Sequence, residues 1–97
     1  MEKLELNKEL VIYYIGLTTK AFEKATPLTE KNSEEDLKLQ SMLRMAKDYL
    51  KDAKYFLENG DLVRAYGAIN YSHAWIDAGV RIGLLDGHGD DELFTLP

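Results

Sequence analysis

The chain has 97 residues and no cysteine, with 12 Lys and Arg against 17 Asp and Glu and a formal net charge of −5. That length accommodates one hydrophobic core, so a single domain over residues 1–97 is expected. The missing thiols exclude disulfides, thiolate zinc sites, iron–sulfur clusters and cysteine nucleophiles, and the acidic balance argues against direct nucleic-acid binding because it repels phosphate.

The opening segment MEKLELNKEL carries charge and lacks the apolar stretch of a secretory signal. The longest apolar run, Leu10 to Leu17, has 8 residues, far short of the ~20 that a spanning helix needs. A cytoplasmic protein with no membrane crossing is expected. Asn7 is placed to cap a first helix over about residues 7–25, whose apolar residues Leu10, Tyr13, Leu17 and Ala21 recur at helical spacing. Beside this main stripe lies a second strip, Val11, Ile15, Thr18 and Phe22. A strand at Val11–Ile15 is rejected because no other segment offers it a partner.

Pro27 ends the first helix, and Ser33 with Asp36 three residues later forms a capping pair for a second helix over about 34–59. Its core positions are Leu39, Met42, Ala46, Tyr49, Ala53 and Phe56. Asn59-Gly60 supplies a left-handed stop and Asp61 caps a third helix at once, so the second and third helices must be antiparallel neighbours. The third is expected over 62–85, with its main stripe at Leu62, Tyr66, Ile69, His73, Ile76, Val80 and Leu84. A tail over 86–97 follows, acidic at first and ending in Leu93-Phe94-Thr95-Leu96. The fold class is therefore all-α, a three-helix up-and-down antiparallel bundle with a short C-terminal tail.

The third helix is unlike the others. The second carries 11 charged residues between Glu34 and Glu58, whereas only Asp61, Arg64, Asp77 and Arg81 are charged between Asp61 and Leu85. Ala65, Ala68, Ser72, Gly79 and Gly83 make one flank small enough for close helix approach, and Tyr71, Trp75, Ala78 and Ile82 fall on the side away from the main stripe. This surplus of apolar surface calls for a cover, supplied either by the Leu93–Leu96 tail or by a second copy in a homodimer. Tyr71 and Trp75 suit a partner surface because each joins large apolar area to a polar handle.

One polar row is the candidate for chemistry. Asn70, His73, Asp77 and Arg81 follow at spacings of three and four, with Tyr66 one turn earlier, so their side chains can meet. A carboxylate four residues beyond a histidine can orient its ring for proton transfer or ligand binding. The structural alternative is that His73 bonds to Asp77 and Asp77 to Arg81 at the edge of the core. With His73 and His88 the only histidines, a metal site would have to recruit Asp52, Asp77 or the acidic turn after Asp86, so neither metal nor cofactor is expected. No phosphate-binding glycine loop, hydrolase elbow or zinc-protease pair is present. These residues weigh toward a protein-interaction or self-assembly module rather than an enzyme; the alternative is a small-ligand-binding protein or enzyme using the polar row.

The combination Tyr49-Leu50, Asp52-Ala53, Phe56-Leu57, Gly60-Asp61, Val63-Arg64-Ala65, Asn70-Tyr71, His73, Trp75, Asp77-Ala78-Gly79, Arg81 and Gly83-Leu84 resembles the archaeal family called domain of unknown function 357. Ser72 and Ile76 stand where the family pattern suggests alanine and leucine. The resemblance implies a short archaeal cytoplasmic protein built as a three-helix up-and-down bundle, and it implies no activity.

Overall fold

The structure is a computed structural model that describes residues 5–97; Met1–Leu4, the start of the charged opening segment, lie outside the described residues. Three helices carry the fold, α1 (Lys8–Lys24), α2 (Glu34–Glu58) and α3 (Leu62–Arg81). Each begins on a side-chain cap. The Asn7, Ser33 and Asp61 side chains accept the backbone N–H of Leu10, Asp36 and Arg64 respectively, each satisfying an amide that the helix leaves unpaired.

The closest packing is between α2 and α3. The Ser72 hydroxyl donates to the Ala46 carbonyl, and Gly79 faces the Leu39 side chain, both across the same seam. Stepping seven residues along each antiparallel helix joins these two pairs, and one more step places Ala53 opposite Ala65. All of these positions are buried, and all but Leu39 are small. The seam thus brings two backbones together, and the bulk of the core lies beside it in Val11, Ile69, Ile76 and Val80.

Helix α1 lies across the α2–α3 pair, mainly against α3. Its buried residues are Val11, Thr18 and Ala21, while Tyr13 is 60% exposed. The buried face draws on both expected strips, Val11 and Thr18 from the one read as secondary and Ala21 from the main stripe, whose Tyr13 turns outward. Thr18 is satisfied in this buried position by His73, whose Nδ1 its hydroxyl meets at 3.1 Å.

Helix α3 stops at Arg81, four residues before the expected end at Leu85. Gly83 takes φ +84° and the amides of Gly83 and Leu84 bond back to Val80 and Gly79, the same paired closure that Gly60 makes at the end of α2. The chain then turns, and Leu85–Asp86 (β2) pairs antiparallel with Thr26–Pro27 (β1), a two-residue ladder extended by the Leu28 amide to the Leu84 carbonyl at 2.9 Å. Leu85 is buried there, in the space that the missing side chain of Gly79 leaves open. Among the described residues no helix is long and apolar enough to cross a membrane.

Candidate functional site

The polar row on α3 is occupied, and its occupant is the tail of the same chain. His73 Nε2 lies 2.8 Å from the Leu93 carbonyl, Asp77 Oδ1 accepts the Thr95 amide, and Arg81 donates to the Leu96 carbonyl at 2.6 Å. Three successive turns of the helix thus each supply one side-chain group to one backbone group of the tail, which comes out of a turn over residues 90–94. The hydrogen bond expected from His73 to Asp77 and the pairing of Asp77 with Arg81 are replaced by these three contacts.

A carbonyl only accepts, so His73 Nε2 carries the proton and donates it to Leu93; in the neutral ring Nδ1 then accepts the Thr18 hydroxyl. Neither nitrogen has capacity left for a base or a metal. Of the other row members, Asn70 donates to the Tyr66 carbonyl at 2.9 Å on its own helix, and the Tyr66 ring meets Tyr14 edge-on at 5.8 Å between centroids.

Side-chain packing completes the tail's seat. Phe94 is 4% exposed, and Leu93 and Leu96 pack against the cluster of Ala21, Ile76, Val80 and Leu85. A Cβ on Gly87 would come within 2.8 Å of the Phe94 ring and 3.0 Å of Val80, so the ring fits because residue 87 has no side chain. The approach to the seat is fixed by Asp90, which accepts the amides of Glu92 and Leu93 and pairs with Lys24 at 2.8 Å. Lys24 first, and then these amides, hold the Asp90 carboxyl below its ordinary range.

Two surfaces remain beside the seat. A cavity of about 340 Å³ opens between α1, α3 and the tail, with Tyr14, Leu17 and Thr18 from α1, Ile69, Asn70, His73, Ala74 and Asp77 from α3, and Glu92 from the tail. On the opposite side of the α3 core strip runs the aromatic row. Tyr71 stacks edge-on between Tyr49 of α2 (4.5 Å) and Trp75 (6.0 Å). Tyr71 is 45% and Ile82 64% exposed, and Ala78 between them is also exposed. Trp75 is half-buried against the core, with its indole Nε1 enclosed and unpaired. Among the described residues no group of three or more His, Asp or Glu side chains is gathered closely enough to hold a metal ion.

The features carrying this geometry, from the α2 aromatics to the Gly83 turn, fall within a match over residues 13–85 to the family described as "Protein of unknown function (DUF357)". The chain belongs to this family. The matched region of this DUF357 protein contains the polar row, the aromatic row and the α2–α3 seam, and it stops before the tail that the polar row holds. No curated protein and no solved structure matches the chain. The tail contacts were not foreseeable as specific pairs, because spacing along α3 reveals a row of polar side chains but not which backbone groups 15 to 20 residues downstream they will meet.

Proposed function

We propose that the protein is a small helical interaction module whose working surface is the α2–α3 face formed by Tyr49, Tyr71, Trp75, Ala78 and Ile82. One observation carries the reading: the tail's hydrogen bonds fall on His73, Asp77 and Arg81, and Tyr71, Ala78 and Ile82 stay exposed beside the half-buried Tyr49 and Trp75. Exposed aromatic and aliphatic side chains on a rigid, closely packed helix pair are the usual anchors of a protein interface. The simplest form of the proposal is self-assembly of two copies through this face. Catalysis or ligand binding by the polar row itself has less support, since both His73 nitrogens and one Asp77 oxygen are engaged and Arg81 already holds a tail carbonyl.

Sedimentation velocity at micromolar concentration tests it. The wild-type chain is expected to sediment as a dimer, and Tyr71→Ala or Ile82→Asp as a monomer with unchanged helix content; Trp75→Ala should also weaken association, with some loss of stability because that ring is half-buried. A wild-type monomer at these concentrations would rule out self-assembly. Capture of a cytosolic protein that wild type retains and Tyr71→Ala and Ile82→Asp both lose would then support a heterologous partner.

A further inference from the structure

We propose that Asn59 is a site of spontaneous deamidation, held in check by the same closure that joins α2 to α3. The proposal concerns the turn at one end of the bundle and does not require the Tyr71 face. Asn59-Gly60 is the only Asn-Gly pair in the chain. In such a pair the glycine backbone nitrogen, once it has lost its proton to base, attacks the asparagine side-chain carbon Cγ, with no side chain of its own to crowd the approach. A bond forms from that nitrogen to Cγ, the bond from Cγ to Nδ2 breaks, and ammonia leaves a cyclic imide behind. Water then opens the imide at one or the other carbonyl, giving aspartate or isoaspartate.

Both residues are exposed, and a Cβ on Gly60 would meet nothing within 4 Å, so neither base nor water is kept out. The restraint is conformational. The Gly60 amide donates to the Leu57 carbonyl at 3.1 Å and Asn59 Nδ2 donates to the Tyr55 carbonyl at 2.8 Å, which ties down the attacking nitrogen's proton and the leaving group alike. A ψ of 5° at Asn59 turns the Gly60 nitrogen away from Cγ. That geometry is fixed by φ +74° at Gly60 and by the Asp61 amide, which donates to the Phe56 carbonyl at 2.9 Å. The reaction therefore proceeds from molecules in which this closure has opened, and its rate scales with their population. The product acts back on the turn. A carboxylate at position 59 lies at the negative end of α2, between Glu58 and Asp61 in sequence, and no longer donates to Tyr55. Isoaspartate also lengthens the backbone by one carbon in the short link that sets how α2 and α3 pair.

The test incubates the full chain in mildly alkaline buffer, with and without denaturing urea, and locates the new acid at each asparagine by peptide mass spectrometry. In urea, Asn59 is expected to convert ahead of Asn7, Asn32 and Asn70. In the native chain it should convert at least ten-fold more slowly, by a factor that matches the hydrogen-exchange protection of the Asp61 amide. Asp61→Ala removes the cap that accepts the Arg64 amide and leaves the Asn-Gly pair intact. It should speed the native reaction several-fold and leave the rate in urea unchanged. Equal rates with and without urea would overturn the proposal. So would conversion of Asn32 or Asn70 ahead of Asn59, or an Asp61→Ala effect of the same size in urea. The comparison with hydrogen exchange uses the wild-type chain, so it decides the matter even where the variant is poorly folded.

Discussion

Asp36 shows how much one carboxylate can organise. It is 8% exposed at the start of α2, where its oxygens accept from the Thr29 hydroxyl at 2.7 Å, the Asn32 amide at 3.0 Å and the Gln40 side chain at 3.4 Å. This closes the α1–α2 connection onto the helix and lets Asn32 hold φ +65°. The Thr29 bond first, then the Asn32 amide, lower its pKa against the opposing effect of burial. A depressed folded-state pKa means that the unfolded chain takes up the proton first as the medium is acidified. The stabilisation from Asp36 is therefore fully present above about pH 4, the unfolded carboxylate value, and is lost as pH falls through the folded one. Denaturant melts across this range should show wild type losing stability more steeply than Asp36→Asn, with Asp90, shifted in the same direction, contributing a parallel share. A second residue-scale test is Gly87→Ala. Its Cβ has no room beside Phe94 and Val80, and overpacking of this kind costs roughly 1–3 kcal/mol. The Thr95 amide should then lose hydrogen-exchange protection before α2 and α3 do.

At the scale of elements, small side chains at every seventh position set the α2–α3 seam, Leu39 excepted. Enlarging one of them forces the backbones apart. Ala46→Leu should destabilise the fold by about 3 kcal/mol or more, beyond the ordinary overpacking range because the Ser72 bond to the Ala46 carbonyl must stretch as well. A urea titration followed by circular dichroism measures it. Conversely, Ser72→Ala keeps the seam small and loses one buried hydrogen bond, costing roughly 1 kcal/mol.

These elements also divide what a sequence discloses from what it hides. The caps at Asn7, Ser33 and Asp61 and the Gly60 stop are legible because donor and acceptor lie within five residues of each other. The Gly83 stop is masked, since Leu84 and Leu85 continue the apolar spacing of α3 although the closure itself is as local as that of Gly60. The outward turn of Tyr13 is hidden for a different reason. Apolar counting favours Tyr13, and the preference for Thr18 exists only once His73 is opposite it. The candidate row from Asn70 to Arg81 is visible as a row, but its engagement with the tail depends on where Gly87 and Asp90 direct the chain.

For the whole molecule, charge and connectivity set further expectations. The proposed self-association through the Tyr71–Ile82 face would join two chains of net charge −5, so it should tighten as salt rises from low concentration, because screening removes repulsion while leaving apolar contact intact. The corner where β1 meets β2 has a different significance. Lys24 reaches Asp90, Thr26 reaches His88 at 2.9 Å, and Leu28 reaches Leu84, so every tie there spans more than 50 residues. Closing such long loops is entropically costly and is rewarded only after the α2–α3 pair, joined by a short turn, has formed. The corner should thus be assembled on the native side of the folding barrier and act as a latch on the rate of opening. In a chevron experiment, Asp90→Ala and Thr26→Val should raise the unfolding arm while leaving the refolding arm in place, making this corner a control on the lifetime of the folded protein rather than on how quickly it forms.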